Sequence, residues 1–334
     1  MRTTEAQKML RQMIDGYRVS QIVCLAAELG IADCLANGPQ SIHELAARTN
    51  SDPSALYRLM RALVSIGVFA MEDKEHFALN PLAEHLQSDI ADSLRPWARL
   101  SKRFYGTWTH LDHSIATGDT AFDHIHGMSE WQYQVENPEE GQIFNEAMSA
   151  HIAAISSSIL ESYDFSSIGR IVDVAGGQGM LLKAILNSYP AARGVLFDAP
   201  AVIRDARKAF EVQGIAMPFD VVGGSFFDAV PENGDAYILS RILHDWNDEQ
   251  AIRILKNVRH SMRNGARLLI IERVISARSP AVEAALSDLN MMVHHGGRER
   301  TQSDFDRLLG SSGLKVIRTI ETRSPFCIIE AFLN

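Results

Sequence analysis

From Ile171 to the C-terminus the chain alternates short β-branched runs with helix-length amphipathic stretches, and no other feature restricts its fold as much. The run Ile171-Val172-Asp173-Val174 ends in Ala175-Gly176-Gly177-Gln178-Gly179, and a helical pattern follows over 180–188. Further strands are predicted at 194–197, 219–222, 235–240 and 267–274, with helices at 201–212, 248–263, 283–293 and 303–312. Two closing strands, 315–322 and 326–333, are joined by Arg323-Ser324-Pro325. Such alternation specifies an α/β fold, a Rossmann-like parallel sheet with helices on both faces. The glycine turn after the first strand reads either as a packing turn or as a place where a ligand meets bare backbone. It is not the dinucleotide fingerprint, which needs glycine where Ala175 and Met180 stand.

The N-terminal part follows other rules. A helical pattern runs from Glu5 to about Asn37, with Gly30 and Gly38 as stops. Ser41 with Glu44 is a capping-box signature for a short helix. Asp52-Pro53 opens another, which carries Leu56, Met60 and Leu63 on one face, and 68–70 with 77–79 read as a hairpin. Helix, turn, helix and hairpin make a mainly α winged helix, a module that binds DNA or mediates association. Its second helix holds only Arg58 and Arg61 as basic residues, and the whole chain has a net charge of -9. The reading taken is therefore a dimerisation or lid module without nucleic acid, with a ligand-sensing DNA-binding regulator as the alternative.

Residues 92–135 gather Trp97, Phe104, Tyr105, Trp108, Phe122, Trp131 and Tyr133, either as core between domains or as walls for a flat aromatic ligand. A long helix, 138–162, bridges from there to the glycine turn. The expected domains are 1–95, 96–165 and 166–334. Cys24, Cys34 and Cys327 are too few and too scattered for a disulfide framework or a zinc cluster, which favours a reducing cytoplasm. Met1–Ile14 has no apolar targeting core and no run of 18 apolar residues occurs, so no membrane partner is expected.

Ligands of open parallel sheets bind beyond the carboxyl ends of the strands. The glycine turn is one such end. Asp198 is a second, about 20 residues on, where an acidic side chain can accept both hydroxyls of a ribose. Gly223-Gly224-Ser225-Phe226-Phe227 is a third, with a hydroxyl and aromatic faces suited to adenine or simply a strand-end turn. The fourth is Ser240-Arg241-Ile242-Leu243-His244-Asp245-Trp246. Glu272, ending the next strand, and Glu299 can converge on His244. A carboxylate beside an imidazole raises its pKa and fixes its tautomer, as a general base near neutral pH requires. The other histidines, His294-His295 included, show no metal-ligand spacing, and no metal is expected.

Ile171–Gly179, Leu-Phe-Asp-Ala-Pro at 196–200, Gly-Gly-Ser-Phe-Phe at 223–227, Leu-His-Asp-Trp-Asn-Asp at 243–248 and Gly-Gly-Arg-Glu-Arg-Thr at 296–301, in this order, resemble the S-adenosylmethionine-dependent O-methyltransferases of the caffeate and natural-product type, bacterial phenazine methyltransferases among them. The resemblance spans essentially the whole chain, including a winged-helix dimerisation domain and an aromatic-rich linker. It implies a homodimer that methylates a phenolic or N-hydroxy group of a planar aromatic small molecule. It further implies that Asp173, Ala175, Gly176, Gly177 and Gly179 surround the methionyl part of S-adenosyl-L-methionine. Asp198 would hold its ribose, Ser225 and Phe226 its adenine, and Ser240 and Arg241 would line it. His244 would be the base, flanked by Glu272 and Glu299, with Phe144, Asn145, Met148, Trp108, Asp288 and Met291 beside the acceptor. A relative that keeps fold and cofactor but catalyses decarboxylation, hydroxylation or a pericyclic closure is the rival reading. Two positions depart from the family: Ala175 replaces a glycine and Ser225 an aspartate. The methyl at 175 is expected to be tolerated only with negative φ, and Ser225 loses a charge-assisted contact to the cofactor.

Overall fold

The computed structural model describes residues 4–212, 214, 216–276, 278 and 281–334; the start of the N-terminal segment, residues 1–3, lies outside the described residues. The chain divides into two compact units after Gly106.

In the first unit the opening helix, Glu5–Glu28, starts at Thr4 in a capping box with Gln7. It stops short of the expected Asn37. Gly30 takes a φ of +65°, reached cheaply only without a Cβ, and starts a separate short helix, Ile31–Cys34. Ser41 and Glu44 cap Ile42–Thr49 reciprocally, and Asp52 caps Pro53–Ser65. Strand β1 (Gln40–Ser41) joins the hairpin of β2 (Ala70–Met71) and β3 (His76–Ala78) in the order β1-β3-β2, so the wing has three strands rather than two. Leu45, Met60, Leu63, Phe69 and Phe77 form its core.

The second unit holds a seven-stranded sheet: β4 (Arg170–Val174), β5 (Arg193–Asp198), β6 (Asp220–Gly223), β7 (Ala236–Ser240), β8 (Arg267–Glu272), β9 (Leu314–Glu321) and β10 (Cys327–Leu333). The order is β6-β5-β4-β7-β8-β10-β9. Five strands are parallel as expected. The last two make the sheet mixed, because β10 inserts antiparallel between β8 and β9, pairing Cys327 with Glu272. A tight 322–326 connection can only return antiparallel.

The central strands β4, β5, β7, β8 and β10 are mostly apolar because both their faces are covered, whereas the edge strands β6 and β9 are largely exposed. Val172, Val174, Tyr237, Leu239, Leu268 and Ile270 pack on one side with the helices Asp248–Ser261 and Gln302–Ser311. Ile171, Ile238, Leu269 and Ile271 pack on the other with Pro138–Ser162, Met180–Ser188 and Pro200–Val212. Strand order reverses between β4 and β7, so their carboxyl ends flank the crevice where such sheets bind ligands.

Candidate active site

At the end of β4 the backbone turns because small residues let it. A Cβ on Gly176 would lie 2.5 Å from the Asp173 carboxyl and 2.6 Å from Leu196, and one on Gly179 would meet the Phe219 ring at 2.5 Å. Gly177 has φ +59°, and a Cβ there would meet nothing within 4 Å, so its face is open. The expectation for Ala175 is overturned: its φ is +57°. Its N–H still donates to the Phe197 carbonyl at 2.7 Å, and the chain must reverse directly afterwards to seat Gly176 on Asp173. The left-handed conformation costs a residue with a Cβ about 1–2 kcal/mol, which explains why glycine suits this position better.

Asp198, at the end of β5, accepts the Gly177 N–H at 2.8 Å and the Ala199 N–H at 2.6 Å. Burial still raises its carboxyl to about 6. Asp173 is 1% exposed, and both its oxygens lack a hydrogen-bond partner. Burial, then the Asp198 charge, lifts it to about 7. It supports the turn from below, whereas Asp198 bonds the turn's own backbone. Ser225 bonds within its own turn, accepting the Phe227 N–H at 3.2 Å. Phe226 stands edge-on to Phe227 and Trp246. At the end of β7 the Ser240 hydroxyl and Arg241 Nε are buried without partners. Arg241 has φ +58° and reaches the Met148 sulfur at 3.3 Å, and burial pulls its pKa down.

His244 sits in a single 3₁₀ turn, Leu243–Asp245, and is 4% exposed. Glu272 holds that turn, its Oε1 accepting the N–H groups of Leu243 at 2.8 Å and His244 at 3.3 Å. Nδ1 lies 3.2 Å from Glu299 Oε1 and 3.7 Å from Glu272 Oε2. Burial pulls the imidazole down, but Glu272, Asp245 and Glu299 outweigh it and raise His244 to about 9. Burial pushes Glu272 to about 7, while His244 holds Glu299 below its ordinary range despite burial. The ligand atoms of His244, Glu272 and Glu299 lie within 4.8 Å of one another, a spacing that could also hold a cation.

Three supports escaped sequence reasoning. Ser287 donates to Glu299 Oε1 at 2.6 Å. Buried Arg300 bonds the Leu243 carbonyl, the Trp246 carbonyl at 2.7 Å and Asp248 at 3.0 Å, clamping the histidine turn. Gly297 leaves no room for a Cβ against the backbone of His244 to Trp246. The run Gly296–Thr301 signalled that something here was constrained, but not what it touched.

The residues expected beside the acceptor separate into two groups. Phe144, Asn145 and Met148 share one stretch of the helix Pro138–Ser162, with Phe144 edge-on to Trp131. Trp108 donates its indole N–H to Asn290 at 2.9 Å, and Met291 is buried on Val282–His294. Asp288 is engaged otherwise, accepting the Glu299 N–H at 2.8 Å. Of the aromatic run, Trp131 stacks on His295 and Trp246 and Phe122 stands edge-on to Tyr133, while Trp97 and Tyr105 are exposed in the first unit.

The sequence pattern of an O-methyltransferase domain matches residues 108–315, and that of an O-methyltransferase dimerisation domain matches residues 11–89. The chain is 41% identical over 323 residues to a phenazine O-methyltransferase of Lysobacter antibioticus, covering 96% of this chain and 95% of that protein. It is 34% identical over 318 residues to the phenazine-1-carboxylate N-methyltransferase of Pseudomonas aeruginosa, covering 95% and 94%. A solved O-methyltransferase from neocarzinostatin biosynthesis, in complex with S-adenosylmethionine and 2-hydroxy-5-methyl naphthoic acid, matches with a TM-score of 0.82 and 31% identity over 95% of this chain and 96% of that one.

Proposed function

The chain belongs to the O-methyltransferase family, and from that premise we propose that it methylates a phenolic or N-hydroxy oxygen of a planar aromatic natural product, with His244 as general base. S-adenosyl-L-methionine is the cofactor and supplies a methyl group on a sulfonium, an electrophile that needs no further activation. The strand ends suit it. Asp198 offers a carboxylate where a ribose diol needs an acceptor, Gly177 leaves its face open, and the unpartnered Ser240 hydroxyl and Arg241 Nε offer polar atoms at the reversal of strand order.

The observation that carries the assignment is the buried contact of His244 Nδ1 with Glu299. With Nδ1–H given to that carboxylate, Nε2 keeps the lone pair. A phenol has a pKa of about 10, so transferring its proton to Nε2 of the unprotonated imidazole as the methyl is attacked gives a competent nucleophile without free phenolate having to form first. The remaining acceleration comes from alignment, for which Phe144, Met148, Trp108 and Met291 supply apolar walls. A nitrogen with a free lone pair needs no base, so the cost of burying an imidazole with two glutamates favours oxygen as the acceptor atom. His244→Ala is expected to bind the cofactor normally by calorimetry and to lose about 100-fold or more in methyl transfer. Full activity in that variant would remove His244 from the mechanism. A panel of hydroxylated aromatics, read as a product heavier by one CH2 with stoichiometric S-adenosylhomocysteine, identifies the acceptor class and separates transfer from the non-methylating chemistries. The exposed apolar residues Met9, Leu10, Met13 and Ile14 of the first helix, within or next to the dimerisation match, support a homodimer.

A further inference from the structure

Two consecutive residues of the helix Val282–His294 grip Glu299. The Ser287 hydroxyl donates to its Oε1 at 2.6 Å, and Asp288 Oδ1 accepts its backbone N–H at 2.8 Å. The same Oε1 faces His244 Nδ1 at 3.2 Å, so one oxygen serves both donors and the Ser287 contact is the shorter. The other oxygen, Oε2, is buried without a hydrogen-bond partner. The terminal torsion of a glutamate is broad and nearly two-fold. Which oxygen meets the imidazole is therefore decided by what else holds the carboxylate, and Ser287 is the group that does so.

We propose that Ser287 is a positioning residue for the base: its hydroxyl fixes Glu299 Oε1 opposite His244 Nδ1 and limits how tightly that oxygen holds the imidazole proton, a reading that rests on the assignment of His244 above. An oxygen that already accepts a short hydrogen bond has part of its charge satisfied and attracts a second donor less. Burial pushes the Glu299 carboxyl up, but His244, Ser287 and Arg273 outweigh it and hold it below its ordinary range, so it stays an anion while the imidazole titrates. Without the hydroxyl, the charge on Oε1 falls to Nδ1–H alone. The imidazolium gains, the base is harder to unprotonate, and its titration moves to higher pH. That is the opposite of Glu299→Gln, which removes the charge itself.

Other charged and titratable groups face the pair from every side. Glu272, ending β8, lies 3.7 Å from His244 Nδ1, and Arg273 follows it. Asp245 stands in the histidine's own turn, 3.5 Å from Nε2, with His295 beyond it. Arg241 acts from the end of β7. His151, on the helix Pro138–Ser162, is pulled down to about 3 by burial, then by Arg241 and Arg273, and so stays neutral. Replacing Ser287 alters none of these groups, and a displaced titration then reports the Glu299 contact. The freed carboxylate could also turn Oε2 toward the ring, which would loosen the aim of Nε2 at the acceptor and lower the rate.

The test titrates the His244 ring by NMR in full-length protein with labelled histidine, its signal assigned by its absence from His244→Ala. In parallel, kcat is followed against pH with the most active member of the hydroxylated aromatic panel. In Ser287→Ala the ring titration and the kinetic limb are both expected to rise by about half a pH unit. The plateau of kcat should fall about ten-fold, with acceptor KM and cofactor affinity within about two-fold of native. Ser287→Thr keeps the hydroxyl and should restore both. Ser287→Val has the shape of threonine without the hydroxyl, should match Ser287→Ala, and decides the matter if that variant does not fold. In a Glu299→Gln background, Ser287→Ala should shift nothing further. A ring titration that stays in place or falls in the folded variants overturns the proposal and leaves His244 as the base. So does threonine behaving as valine does. A ring that moves while the kinetic limb stays removes His244 as the base, and the role of Ser287 in methyl transfer with it.

Discussion

Ala175 and His244 show how much a single side chain reveals before its surroundings are known. The sequence marks Ala175 as standing in place of a glycine, but its backbone conformation follows from Gly176 having to touch Asp173 and Leu196. Ala175→Gly is expected to stabilise the protein by about 1 kcal/mol, seen as a higher midpoint in thermal denaturation, with cofactor affinity equal or tighter by calorimetry. A lower midpoint would mean that the turn carries no strain at 175. At His244 the expected carboxylates are present, but with Asp245 added there are three of them, and together they lift the imidazole to about 9 rather than to neutrality. A base must be unprotonated to work, so with His244 as the proposed base kcat/KM should climb through pH 7 and 8 and level off only above pH 9. In Glu299→Gln, which removes a group that raises the imidazole, the limb should move to lower pH; a limb unmoved by that change would assign the titration to another group. Asp245 was quoted in a motif without a role, and Glu130 carried no local signal at all, because its partners are far away in the chain.

At the scale of elements, local chemistry was largely legible. The capping box at Ser41, the Asp52-Pro53 cap, and the limits of the helix Pro138–Ser162 follow from nearest neighbours in sequence. The 3₁₀ turn that presents His244 did not, because its geometry is imposed by remote residues: Glu272 holds its N–H groups, Arg300 its carbonyls, and Gly297 lies against its backbone. Gly297→Ala places a methyl group against that backbone. Displacing the turn by about 1 Å is expected to cost about 100-fold in kcat, while cofactor affinity, which the proposed site places at the ends of β4, β5 and β7, should stay near native. Equal losses in both would show that the substitution unfolds the unit rather than moving the turn.

For the whole molecule, the apolar stripe of the first helix and the dimerisation match belong to the same unit. Met13→Glu is expected to shift the protein from dimer to monomer in light scattering, and an unchanged mass would place the contact elsewhere. No helix of the described residues is long and apolar enough to cross a membrane. The sequence by itself determined the α/β class, the winged-helix unit and the four strand ends, because hydrophobic period and cap chemistry act over a few residues and a parallel sheet gathers its carboxyl ends on one side. Tertiary structure alone decided that β10 enters antiparallel between β8 and β9, that Ala175 turns left-handed, and that Glu130, from a short helix before the sheet, meets His294 and His295. Those contacts join residues distant in the chain, and they form only once burial of the sheet's two faces has fixed which helices lie side by side.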